Sequence, residues 1–159
     1  MKIQGLDSVD ALIKEFNKFD EASDKMFKEA LYDGAGVVAD EVRRHVSSIP
    51  IQERTRRGGT PQWGTDKQKL EGITSIQKEG LESGLGVATF KNEGGSITTA
   101  IGFDGYNADG EANQKIARSV ESGSSIRKKH PFVRPALNAA KHRAEEAMKK
   151  KILDKVKEI

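Results

Sequence analysis

The sequence contains no cysteine. That removes a disulfide framework, a thiolate metal site and a cysteine nucleophile together. Aromatic residues are scarce, at 6% with one tryptophan, and 35% of the chain is hydrophobic against 32% charged. A chain so composed builds a thin core, and part of it is expected to be ordered only by partners. The N-terminus lacks an apolar signal core, and no run approaches the roughly 18 apolar residues that suggest a membrane span. No membrane contact is therefore expected. There are no internal repeats and no low-complexity tract. The 159 residues suit one domain.

Signatures of chemistry are missing too. His45, His130 and His142 are the only histidines, and none stands four residues from another in a zinc-like arrangement. His45 falls on an apolar helix face and reads as a packed or edge histidine. Asp104 and Asp109 beside Gly105 and Gly110 lack the spacing of a calcium loop and read as a turn. There is no Gly-x-Ser-x-Gly elbow. Gly84-Leu85-Gly86 lacks the third glycine of a dinucleotide fingerprint. Gly58-Gly59 and Gly94-Gly95 lack the Lys-Ser/Thr of a phosphate loop. The expectation is a protein that is not an enzyme, with no catalytic residues, cofactor or metal.

Charge is present in quantity and unevenly placed. Residues 125–159 hold 11 Lys and Arg against 4 Asp and Glu, a balance of +7. Residues 1–124 hold 16 against 20, a balance of −4. Such a tail has three readings: a solvated lysine-rich helix, a nucleic-acid contact, or a surface that docks on the acidic body of a neighbouring copy.

Apolar spacing predicts a short helix over Ser8–Phe19, with Val9, Leu12, Ile13, Phe16 and Phe19 on one face. A longer helix is predicted from about Asp20 to Val46, interrupted by Gly34 and Gly36, where a kink or close packing is expected. Ser47-Ser48-Ile49-Pro50 ends it. Pro50–Asp66 is the least regular stretch and carries Arg54, Arg56, Arg57 and Trp63. Basic residues beside an aromatic are candidate contacts to single-stranded nucleic acid. The plainer reading is a flexible loop whose arginines meet acidic neighbours in an assembly. Leu70–Ile76 reads either as a strand or as a helix end. Gly84–Phe103 reads as a β-hairpin turning at Asn92–Gly95, and Asp104–Glu111 as a further turn. A terminal helix is predicted from about Phe132 to Val156, with Leu137, Ala140, Ala144, Met148, Ile152 and Val156 as its stripe. The expected organisation is a helical part (1–48), a flexible loop (49–68), sheet and hairpin (69–124), and a joint with a C-terminal helix (125–159). The expected fold is α+β: a small antiparallel sheet packed by a long N-terminal helix and a C-terminal helix.

The most informative stretch is Ile116–Leu137. An apolar run ends at Ser122-Gly123, a basic link follows over Arg127–His130, and Pro131-Phe132-Val133-Arg134-Pro135-Ala136-Leu137 opens the terminal helix. Phe132 is expected in the core, with Pro135 tolerated in the first helical turn. Arg134 is placed on the outer face. Glu121 and Gly123 carry two readings. In one, Glu121 pairs across a subunit boundary with Arg118, Arg127 or Arg134; in the other the pair marks an element's end, with Gly123 at positive φ. Ala117, Val120, Glu121, Gly123 and Ser124 form an Ala-x-x-Val-Glu-x-Gly-Ser segment, and Pro131, Phe132, Pro135, Ala136 and Leu137 form Pro-Phe-x-x-Pro-Ala-Leu. This ordered pair resembles the neck and tail-completion (head-tail joining) proteins of lambda-like siphophages, related to the minor tail protein Z type. The resemblance implies a structural virion protein at the phage neck, assembled in the host bacterial cytoplasm. It implies a homo-oligomeric ring that meets a connector or head-closure protein and a tail terminator, close to DNA. The alternative is a small basic nucleic-acid-binding module using Arg54–Trp63 and the lysine tail.

Overall fold

The computed structural model describes residues 9–53, 69–94 and 96–158, and its architecture is α+β. The first element, α1, is a single helix over Val9–Ser47, 39 residues long. Two helices were expected, divided near Phe19. Neither glycine nor proline stands between Phe19 and Gly34, so nothing interrupts the hydrogen-bond ladder there. The glycines do not break it either. Gly34 is a close approach: a Cβ there would lie 2.7 Å from Cγ of Met148 on the last helix. Gly36 faces open space.

That last helix, α4 (Val133–Lys157), packs along α1. It runs antiparallel: Lys155 lies 3.5 Å from Glu29, Lys151 3.7 Å from Asp33, and Arg143 2.6 Å from Glu41. Both helices bury alanines, Ala30, Ala35 and Ala39 on α1 and Ala136, Ala140 and Ala144 on α4. Small side chains let the two backbones come close. The buried face of α4 is rotated from the expected stripe. Ala136 leads it, whereas Leu137 and Val156 are 48% and 54% exposed. The lysine-rich end thus meets the acidic flank of α1 in the same chain.

Between these helices the chain builds the rest of the core. Thr74 opens α2 (Ser75–Gly84) with a capping box: its hydroxyl accepts from Gln77 N at 3.1 Å, and Gln77 Oε1 accepts from Thr74 N at 3.1 Å. Leu70–Ile76 is therefore extended first and helical after Thr74. Leu70 and Ile73 each make one isolated parallel bridge, to Arg127 and Ile51. Part of what was expected to be irregular is therefore paired, since Pro50–Gln52 lies beside Ile73.

The hairpin forms as two short antiparallel ladders. Strands β1 (Leu85–Val87) and β4 (Ile101–Phe103) pair as Leu85↔Phe103 and Val87↔Ile101, while β2 (Lys91–Glu93) and β3 (Ser96–Thr98) pair as Lys91↔Thr98. Residues 88–90 on one side oppose 99–100 on the other, an extra residue that acts as a bulge and splits the ladder. The segment 69–124, expected to hold sheet and hairpin, is thus also helical. It includes α2 and a third helix, α3 (Asn113–Ser122), which buries Ile116, Ala117 and Val120. The shared core joins Val42, Val46, Ile49, Ile73, Leu81, Phe103, Val120 and Phe132.

Candidate functional site: the joint between α3 and α4

The residues singled out in Ile116–Leu137 converge on one place. Ala117 and Val120 lie in the core on the inner face of α3, with Ile116. The helix stops at Ser122, and Gly123 takes φ 76°, ψ 169°, a conformation open in practice to glycine alone. Ser124 then ties the link. Its hydroxyl accepts from Ile126 N at 3.3 Å and Arg127 N at 3.1 Å, and its own N–H donates to Arg127 O at 3.0 Å. The link is stitched to the extended chain beside it by Leu70 N to Ile126 O and Lys128 N to Leu70 O, each 2.8 Å. His130 N donates back to Val120 O at 2.8 Å. Gly123→Ala is expected to cost about 1–2 kcal/mol, from a forced positive φ and a Cβ 3.2 Å from Lys129 N. A shift in denaturant midpoint measures it.

Arg127 departs from the sequence reading. It is expected there in a basic link and as a candidate partner of Glu121. It is 3% exposed, its guanidinium donating to the Gly72 carbonyl and lying 3.5 Å from Gln77 Oε1. Nothing local in Arg127-Lys128-Lys129 announces this. The burial follows from the bridge to Leu70, a partner far away in sequence.

Glu121 shows how the joint works. The start of any α-helix leaves four backbone N–H groups without intrahelical partners. Here the four positions are Phe132, Val133, Arg134 and Pro135. Glu121 Oε2 accepts from Phe132 N at 2.7 Å and Val133 N at 2.8 Å, and Oε1 accepts from Arg134 N at 3.0 Å. Proline has no N–H, so the fourth is absent. One carboxylate at the end of α3 thus caps α4 eleven to thirteen residues later. The negative charge also sits at the positive end of the α4 dipole. Burial of the carboxyl pushes its pKa up, but the three N–H groups and the Arg134 charge outweigh it and hold it below the ordinary value. Within the chain, Glu121 and Gly123 thus mark the end of one element and the start of the next, with the carboxylate held by three backbone donors of α4.

Phe132 is fully buried, its ring 5.8 Å from that of Phe103 and inclined at 56°. Pro131, Arg134 and Pro135 are exposed. The motif therefore splits into core (Ala117, Val120, Phe132), cap (Glu121), turn (Gly123) and an outward rim.

The remaining candidates lie elsewhere. Arg54, Arg56, Arg57 and Trp63 fall outside the described residues, as does most of the loop expected over 49–68. The segments flanking residues 54–68 are held together. Gln52 Oε1 accepts from Glu71 N at 2.7 Å and Gly72 N at 3.2 Å, and Glu53 Oε1 from Ser75 N at 2.8 Å. His45 is half-buried, Nδ1 3.0 Å from the Glu41 carbonyl. Among the described residues no group of three or more His, Cys, Asp or Glu is placed to hold a metal ion. No described helix is long and apolar enough to cross a membrane. Compared with known proteins, the chain matches no family model, no curated protein and no solved structure.

Proposed function

We propose that this chain is a structural protein of a tailed-phage or prophage virion, acting in head-tail joining or tail completion at the neck. The observation that carries the reading is the joint. Four residues of the stretch that resembles the neck-protein motif build it: Glu121 caps, Gly123 turns, Phe132 anchors and Pro135 removes the donor that has no acceptor. These residues act together as one mechanical unit, which supports the reading. The unit aims a helix. Its exposed residues, Pro131, Arg134 and Leu137, lie on an outward rim. In this reading copies of the chain associate, and rims of this kind meet a connector, a tail terminator or one another.

The nucleic-acid reading loses part of its tail, because Lys151 and Lys155 face Glu29 and Asp33 of α1. Mass spectrometry of purified particles, with microscopy of particles from a deletion mutant, tests the proposal. The expected result is the protein in intact virions, and heads and tails that fail to join without it. Normal, infective particles lacking the protein would overturn it.

A further inference from the structure

Two clefts are walled by α1, α4 and the hairpin, the first by α3 as well. The first gathers Val38, Ile101, Val133 and Leu137, with Arg118 and Arg134 at its edge. The second gathers Phe27, Leu31, Ile97 and Ile152, with Asp20 and Asp24 at its edge. On α1 the positions Asp24, Phe27, Leu31, Val38 and Val42 follow three-, four- and seven-residue spacing, so they share one helix face. On α4 Leu137, Met148 and Ile152 do the same. The clefts stand at two places along these faces, separated along α1 by roughly 20 Å at 1.5 Å per residue.

The two ends are complementary in kind. Each presents a large apolar side chain to solvent, Leu137 at 48% and Phe27 at 47% exposure. One end is edged by guanidinium groups, the other by carboxylates. Glu121 also lines the basic end and its charge acts on Arg134, so two guanidinium groups stand there against one carboxylate. Arg118, Asp20 and Asp24 have no ion-pair partner among the described residues. Both ends sit on one continuous helix, so they cannot meet within a chain. A second copy can bring them together.

We infer that the chain self-associates head to tail, with the acidic end around Phe27 of one copy seated on the basic end around Leu137 of the next. This rests on the assembly part of the function proposed above and names its surface. Such a contact uses two different patches, so it propagates into a closed ring or a filament and does not stop at a dimer. The apolar side chains carry the contact, and the rim charges set its polarity.

The test is light scattering of the full chain over a range of concentration, for the wild type, for Arg118→Glu and for Asp24→Arg. Both substitutions fall on residues without a described partner, and unchanged denaturant midpoints establish that the variants fold. The wild type is expected to form species larger than a dimer, weakened by salt. Each variant alone is expected to raise the dissociation constant at least tenfold. Mixed in equal amounts they are expected to reassemble, because native ends meet at one contact and the two reversed charges meet with opposite sign at the next. Phe27→Ser and Leu137→Ser, which remove the apolar part, are expected to prevent assembly singly and to stop at mixed dimers when combined. A wild type that stays monomeric or stops at dimers overturns the inference. So do charge variants that assemble as the wild type does, or a mixture that fails to recover. Variants that assemble normally overturn this surface alone, whereas absence of the protein from virions overturns the function and leaves the contact standing.

Discussion

Phe132→Ala is expected to lower stability by about 3–5 kcal/mol, the usual range for removing a buried phenylalanine side chain. The ring is fully buried in the core that joins α1, α2, α3 and the hairpin, and it meets the Phe103 ring edge at an incline that favours aromatic pairing. In a chain with so few aromatics, little else can fill the space. The loss compares with the whole stability of many small domains, about 5–15 kcal/mol, so the variant is expected to melt early or fold incompletely. Phe132→Leu keeps most of the volume and is expected to cost less than half as much, which keeps the measurement possible if the alanine variant does not fold. Arg134→Ala is the contrasting case. Its side chain is exposed, and the N–H that it gives to Glu121 belongs to the backbone. Truncation is expected to shift the denaturant midpoint little. Equal losses for Phe132→Ala and Arg134→Ala would mean that the joint is not anchored through the ring.

The parts of this architecture legible in the sequence were those with local causes. Periodicity alone marked α1 from Asp20 onward and α4 almost to the residue. The alternation in Ile97–Phe103 and the turn residues at Asn92–Gly95 marked the hairpin. Gly123 was readable as a positive-φ candidate because it follows an apolar run and precedes a polar link. What escaped depends on contacts distant in sequence. The exposure of Leu137 is set by which face of α4 meets the alanines of α1, and the stripe accommodates either choice of leading residue. Helix α2 was hidden by Gly80 and Gly84, which lower helix propensity. Both are required by crowding, since a Cβ at Gly80 would meet Asn113 Oδ1 and one at Gly84 the Asp104 carbonyl. Arg127 stands in the sequence simply as part of a basic link. Glu121 could be read from charge as a partner for arginines, yet its acceptors point at backbone donors. A signal was present: a proline at the third position of a helix without a Ser, Thr, Asp or Asn cap leaves three donors to be satisfied from elsewhere. Only the arrival of α3 beside α4 shows which acid supplies them.

Glu121 therefore makes the sharpest claim about the joint. Glu121→Ala removes the acceptor of three backbone donors and the charge at the α4 N-terminus, and is expected to cost about 2–3 kcal/mol. Glu121→Gln keeps one carbonyl oxygen able to accept two of the three bonds, so its loss is expected to fall between wild type and alanine. The pH dependence separates the cap from simple packing. Folding lowers the Glu121 pKa below its ordinary 4.5, against the pull of burial, through the Phe132, Val133 and Arg134 N–H groups and the Arg134 charge. The unfolded chain therefore takes up the proton more readily. The contribution is complete above the ordinary value and is lost as the pH falls through the folded value. Among the described residues three other carboxyls are also lowered: Glu41 chiefly by Arg143, Glu53 by Ser75 and Glu71 by Lys128. They are common to both proteins, so the difference between wild type and Glu121→Gln isolates the one group. That difference is expected to be constant near neutral pH and to shrink progressively below about pH 4.5. Denaturant titrations of the two proteins at a series of pH values read it directly. A gap that stays constant down to strongly acid pH would show that the glutamine loses packing rather than charge, and that the carboxylate does not hold α4.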